Sequence, residues 1–89
     1  MVTVIEKDRV LMREGEALVG EVDFPIVEGV RQITHTFVDE KYRGQGIAGQ
    51  LLKALVGELR KRREKAVPVC AYSVGYFAKH PEDTDVTLR

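Results

Sequence analysis

The sequence predicts an α+β fold with an α/β-like core: an antiparallel strand meander, then a β-α-β crossover and a short second helix. Two observations predict it. Apolar and β-branched residues alternate with period two through the first 38 positions, and after Tyr42 the period becomes helical. A second β-rich run, Val67 to Ala71, follows the helical stretch. Two strands joined through such a helix pair in parallel with a right-handed connection. The chain has 89 residues, of which 44% are hydrophobic, enough for one packed core and therefore one domain, residues 1–89.

Val2 to Ile5 and Arg9 to Arg13 are β-rich, with a hairpin turn at Glu14-Gly15-Glu16, and a third strand runs from Ala17 to Phe24. Pro25 and Gly29 punctuate a turn. The run Arg31 to Val38 is dense in β-branched and aromatic residues. As one strand it puts Ile33, His35 and Phe37 on one face and Thr34, Thr36 and Val38 on the other. After the polar bend Asp39 to Tyr42, the residues Ile47, Leu51, Leu52, Leu55, Val56 and Leu59 form one apolar helical stripe. Arg60, Lys61, Arg62, Arg63 and Lys65 close this helix, where cations complement its negative end. Ser73 can cap a brief helix through Lys79. The tail from His80 reads as loop with a short terminal strand at Val86-Thr87-Leu88.

Charge and cysteine content narrow the function classes. Lys plus Arg and Asp plus Glu number 14 each, and this neutral balance argues against general nucleic-acid binding. The cationic helix end is therefore read first as a solvated surface and second as a contact for nucleic acid or an acidic partner. The single cysteine, Cys70, cannot build an intrachain disulfide framework. With no long apolar stretch at the amino terminus, and none of the roughly 18 residues a membrane span needs, we expect a cytoplasmic protein without a membrane partner.

Gly44, Gly46 and Gly49 fall between a strong strand and the start of the amphipathic helix. Glycine permits a tight turn and close ligand approach. The first amides of a helix lack internal partners and carry partial positive charge, so the loop Arg43 to Ala48 can cradle a phosphate or diphosphate, with Lys41 and Arg43 beside it. The same glycines also suit a plain strand-to-helix turn. The loop lacks the Gly-Lys-Ser/Thr of a nucleotide triphosphatase. Its formal Gly-x-Gly-x-x-Gly match lies in a chain too short for a full dinucleotide-binding domain, after an antiparallel meander.

The segment Arg43-Gly44-Gln45-Gly46-Ile47-Ala48 resembles the signature loop of the GNAT-type N-acetyltransferases. Ile33 to Val38, this loop, Pro68-Val69-Cys70-Ala71-Tyr72 and Tyr76-Phe77-Ala78-Lys79-His80-Pro81 occur in the order seen in a minimal subfamily of about this length. The resemblance runs from Arg9 to Pro81. It implies a minimal GNAT fold with splayed parallel strands and acetyl-coenzyme A as acetyl donor. Backbone amides from about Gly44 through Gln45, Gly46 and Ile47 to Ala48 would hold the diphosphate, with Arg43 and Gly49 also in the coenzyme-binding site. The pantetheine arm would lie between diverging strands near Phe37, Val38 and Cys70, touching Tyr72. The acceptor would be an amine, on a protein or peptide where the cleft is open.

Acetyl transfer needs a nucleophile, stabilisation of the carbonyl oxygen and a proton for the leaving thiolate. In many relatives a tyrosine of the last helix protonates the coenzyme A sulfur. Here Phe77 takes that position with Tyr76 beside it, so Tyr76 is a candidate donor, although a helix tyrosine more often serves packing. Cys70, ahead of a short helix, is a candidate acetyl-accepting nucleophile, and equally a buried small hydrophobe. His35 is a candidate base, since its reference pKa of about 6.5 suits proton shuttling, although a strand histidine more often satisfies a local hydrogen bond. His80-Pro81-Glu82-Asp83 offers no metal-ligand geometry, and no metal is expected. Two readings stay open: a minimal acetyl-CoA-dependent N-acetyltransferase, or a non-catalytic coenzyme A-binding module or subunit of a larger assembly.

Overall fold

The computed structural model describes residues 1–88. In chain order the elements are β1 (Val2–Ile5), β2 (Arg9–Glu14), β3 (Ala17–Asp23), β4 (Ile26–Val27), β5 (Val30–Ile33), β6 (His35–Val38), a 3₁₀ turn (Glu40–Tyr42), α1 (Ile47–Arg62), β7 (Val67–Pro68), α2 (Ala71–Lys79) and a second 3₁₀ segment (Pro81–Val86). One sheet has the antiparallel order β1-β2-β3-β6, and the other has the order β4-β5-β7. The predicted parallel pair of the crossover is β5 with β7, Gln32 opposite Val67 and Ile33 opposite Pro68.

The predicted helical stripe is the buried face of α1: Ile47, Leu51, Leu52, Leu55, Val56 and Leu59 are all buried. They pack on Val10, Met12, Val19, Val22, Phe24 and Ile33 from the strands. Gly20 lets α1 sit close to β3. A Cβ there would stand 2.9 Å from both Leu51 Cδ1 and the Phe37 carbonyl oxygen, and 3.2 Å from Ile47 Cγ2. A bulge next to it places Met12 opposite Gly20 and Arg13 opposite Leu18. Val19, left between them, is fully buried, and its carbonyl accepts the Asp39 amide at 2.8 Å, tying down the exit of β6.

The run Arg31 to Val38 is two strands rather than one. The Thr34 amide turns to the Asp23 carbonyl at 3.1 Å, while the Ile33 carbonyl accepts both the Val69 and the Cys70 amides at 3.0 Å. The break shifts the face assignment by one residue. Ile33 is fully buried, the next inward positions are Thr36 opposite Val22 and Val38 opposite Gly20, and His35 is left exposed. The expected single-face row of Ile33, His35 and Phe37 is thereby corrected.

Other boundaries move for local reasons. Between Pro25 and Gly29 the chain forms the small strand β4, turned by Glu28 and Gly29 with φ of 51° and 80°. The expected strand Val67 to Ala71 ends at Pro68, and α2 starts at Ala71 with Cys70 in the cap position, so Ser73 lies inside the helix and does not cap it. The tail is 3₁₀ through Val86, and the terminal strand reduces to one parallel bridge between Ala66 and Thr87.

Two of the cations read as solvated are structural ties. Arg62 donates to the Lys7 and Glu6 carbonyls at 2.8 and 2.9 Å, and Arg60 binds Asp85 and Asp83 at 2.7 and 3.1 Å. Lys61, Arg63 and Lys65 are exposed. Arg31, 7% exposed, donates to the Phe24 carbonyl at 2.7 Å and meets Asp8 and Glu64 at 3.2 Å. The guanidinium groups of Arg31 and Arg62 stand 5.1 and 5.3 Å from the Phe24 ring centre, so this buried ring receives two cations. No helix among the described residues is long and apolar enough to cross a membrane.

Gly20→Val overpacks the contact between α1 and β3, where one neighbour is a backbone oxygen that cannot rotate away. We expect urea denaturation to show a loss of about 1–3 kcal/mol.

Candidate functional site

The loop after β6 is built so that its amides stay free. Asp39 Oδ1 accepts the Lys41 amide at 2.9 Å and starts the 3₁₀ turn, Tyr42 packs against the core, and Arg43 Nε reaches back to the Val38 carbonyl at 3.3 Å. Gly44 and Gly46 take φ of 83° and 76°, the left-handed region that glycine enters without cost, and a Cβ at either would project into open space. Gly46 is the cap of α1, and no side chain bonds to the helix start there. Among the described residues, no carbonyl or side chain accepts the amides of residues 44 to 48. These donors point out of the helix start, where the dipole adds positive charge.

Beside them lies a cavity of about 580 Å³, within the ordinary range for a ligand site. Its lining comes from β6 (His35, Thr36, Phe37, Val38), from Tyr42, from the loop (Arg43, Gly44, Gly46), from the first turn of α1 (Ile47, Ala48) and from Tyr72 of α2. Because β6 is the last strand of its sheet, the cavity runs along an unpaired strand edge. Nine of the thirteen site residues expected from sequence line it: His35, Phe37, Val38, Arg43, Gly44, Gly46, Ile47, Ala48 and Tyr72. Gln45 is exposed beside it, and Gly49 lies one layer down, where an added Cβ would be 3.7 Å from Tyr72 Oη.

Cys70 sits behind this lining, half-buried against the core. Its sulfur is 3.4 Å from Thr36 Oγ1 of β6 and 3.3 Å from Ser73 Oγ of α2. Burial pushes the Cys70 thiol up, but the hydroxyls of Ser73 and Thr36 and the amides of Ser73 and Tyr72 together bring it below its ordinary value. Thr36, which the sequence reading did not single out, is thus the residue through which Cys70 meets the cavity wall.

The structure does not bring Tyr76 to this cavity. Tyr76 is 6% exposed, its hydroxyl donates to Asp83 Oδ2 at 2.8 Å, and its ring stacks on His80 at 4.3 Å. Burial, and then the hydrogen bond and charge of Asp83, raise its pKa, so it holds its proton. The spacing Ser73, Tyr76, Phe77 is the buried face of α2, and this helical pattern was the available signal. His80, Glu82 and Asp83 bring ligand atoms within 4.8 Å of one another, yet Asp83 is taken by Arg60 and Tyr76, and Glu82 by His80.

On the other face of β3, Glu21 lies opposite Phe37 and Asp23 opposite His35. The two carboxyls, two residues apart, share that face. Asp23 Oδ1 is buried without a partner in the protein, and Arg9 approaches Glu21 only to 3.7 Å. The hydrogen bond to Asp23, then burial and the Asp23 charge, raise the Glu21 pKa against the opposing pull of Arg9 and His35. This pair required the strand register to be seen.

A family model described as GCN5-related N-acetyltransferase matches residues 9–86. No curated protein matches the chain. The chain is similar to the NMR solution structure of a GCN5-like candidate N-acetyltransferase from Staphylococcus aureus, with 24% identity, a TM-score of 0.77, and coverage of 98% of this chain and 87% of that one, a likeness of fold. It is also similar to the crystal structure of ribosomal-protein-alanine N-acetyltransferase from Brucella melitensis biovar Abortus 2308, at 27% identity and a TM-score of 0.61, over 80% of this chain and 58% of that one.

Two outcomes follow for the charged and phenolic groups. A carboxyl whose pKa is raised on folding favours the folded state in acid and loses that contribution as pH climbs past the raised value. Glu21→Gln should therefore melt higher than the native chain at pH 7, with the gain shrinking as pH falls toward the ordinary glutamate value of 4.5. Tyr76→Phe should lower stability in urea by about 1.5–3 kcal/mol, as expected for loss of a buried hydrogen bond to a charged group, with ligand binding at the glycine loop unchanged by calorimetry.

Proposed function

The chain belongs to the GCN5-related N-acetyltransferase family, and on that premise we propose that it binds acetyl-coenzyme A along the open edge of β6 and passes the acetyl group to an amine by way of Cys70. The observation that carries this reading is the run of amides at residues 44 to 48, which have no acceptor among the described residues and stand at one end of the cavity. A diphosphate fits them, because Gly44 and Gly46 leave the space in front of the loop empty. Phe37, Val38 and Ile47 offer apolar contact for a pantetheine arm, and the edge of β6 offers backbone groups for its amides.

Acetyl-coenzyme A supplies an activated thioester. Cys70 Sγ, as thiolate, attacks the thioester carbonyl; a new carbon–sulfur bond forms while the bond to the coenzyme sulfur breaks, and the departing thiolate takes a proton from solvent. His35 takes one proton from the acceptor ammonium; the neutral amine then attacks the acetyl-cysteine, a carbon–nitrogen bond forms as the carbon–sulfur bond breaks, and the second nitrogen proton passes to the departing Cys70 sulfur. Glu21 and Asp23, across the ladder from Phe37 and His35, favour a cationic amine on a protein or peptide. Tyr76 takes no part, since its hydroxyl belongs to Asp83.

The second reading, a coenzyme A-binding module without turnover, draws on the half-burial of Cys70 and the withdrawal of Tyr76. A coenzyme A release assay across amines and peptides separates the two, because binding without release over a broad panel favours the module.

Saturation with acetyl-coenzyme A at a hundredfold excess over Kd should raise the melting temperature by about 10 °C or more. Gly46→Glu, which puts bulk and negative charge in front of the amides, should abolish that rise relative to its own ligand-free state. A rise of undiminished size would remove the loop from the site.

A further inference from the structure

The two hydroxyls around Cys70 come from β6 and from α2 and differ in what else they bind. Ser73 Oγ is fully buried, 3.3 Å from Cys70 Sγ and 2.9 Å from the Cys70 carbonyl oxygen. A serine hydroxyl has one proton, so it donates to the carbonyl or to the sulfur, never both. While the thiol is protonated, the sulfur donates to Ser73 Oγ and the serine proton rests on the carbonyl. That carbonyl also accepts the Val74 amide at 3.1 Å, so it keeps a donor when the hydroxyl turns away. Thr36 Oγ1, from β6, approaches the same sulfur at 3.4 Å and lines the cavity.

We propose that Thr36 and Ser73 are positioning residues that hold Cys70 Sγ as a thiolate directly behind the Thr36 wall of the donor cavity, with Ser73 acting as a two-position donor that moves from carbonyl to sulfur when the thiol proton leaves. This rests on the acetyl-cysteine reading above. Hydrogen bonds to an ionised acceptor are roughly twice as strong as neutral ones, which drives the rotation. The leading influences on the thiol are burial and these uncharged donors, with no charged side chain among them. Thr36 also fixes the sulfur against β6 rather than letting it rotate along α2.

The test is thiol–disulfide exchange of the full chain with a small aromatic disulfide, without acetyl-coenzyme A. Loss of one donor should cut the thiolate fraction at pH 7 about tenfold. A less stabilised thiolate is also more nucleophilic, with a Brønsted slope of about 0.5. Ser73→Ala and Thr36→Val should therefore each react about threefold more slowly than the native chain at pH 7, and about threefold faster at pH 10, where the thiol is ionised. Thr36→Ser should behave as the native chain at both. Rates unchanged at both pH values, or slowed by one common factor at both, overturn the proposal, because a packing effect has no crossover. Should Ser73→Ala fail to melt cooperatively, the Thr36→Val and Thr36→Ser pair decides the question alone. Weighing the native chain after incubation with acetyl-coenzyme A tests the underlying reading separately: no added acetyl mass overturns acyl transfer to Cys70 while leaving the crossover result standing.

Discussion

The carbonyl of Ile33 accepts two amides, from Val69 and Cys70, and the arrangement of the site depends on that double acceptance. Pro68, the residue opposite Ile33 and the last of β7, has no amide to give, and the next two amides converge on one oxygen instead of continuing the ladder. The chain after β7 is thereby turned out of the sheet and into α2. On the other side, the Thr34 amide is drawn to Asp23, so β6 leaves β5 and joins β3. Two strands that begin side by side at Ile33 have separated by Thr36, and the gap between them is the cavity. At the point where the strands part, the Thr34, Val69 and Cys70 amides each find another carbonyl, while the edge of β6 beyond it stays unpaired.

A second constraint fixes where the helix points. Gly20 removes a side chain from the middle of β3, and the bulge beside it turns Val19 into the core, so the first turns of α1 rest directly on the strand next to β6. The amino terminus of α1 is then level with the end of β6, and the loop from Asp39 to Gly46 has only to close a short gap. At the opposite end of α1, Arg62 and Arg31 meet Phe24 and the turn from Glu6 to Asp8. These ties hold the helix axis, and hence the direction of its unpaired amides.

Much of this was legible in the residues. The stripe from Ile47 to Leu59 named the buried face of α1 without error, since a helix on a sheet must bury one continuous face. The glycines of the loop marked a tight strand-to-helix turn, which Gly44 and Gly46 make through left-handed backbone while Gly49 lies in α1. The division of Arg31 to Val38 was hidden. Every residue there suits a strand, and the break is set by partners from Asp23, Val69 and Cys70, far away in the chain. Tyr76 was misleading for a similar reason: its partner Asp83 lies in a tail whose local pattern is weak, and only the folded chain joins them. Thr36 could not be paired with Cys70, 34 residues away, without knowing how β6 and the start of α2 come together.

Asp83 has a wider reach than its own neighbourhood. This carboxylate, 4% exposed, grips Arg60 of α1 and Tyr76 of α2 at once. From Arg60 to the first residue of α1 is about 20 Å of helix, and α2 runs back from Tyr76 to Cys70 on the same side. The two helices thus resemble the arms of a peg, pinned at one end and holding the glycine loop and the thiol at the other. One buried carboxylate clasps the far ends of both helices, and its removal would strand the Tyr76 phenol and take a partner from the Arg60 guanidinium, a cost borne by the stability of the whole chain rather than by the loop or the thiol.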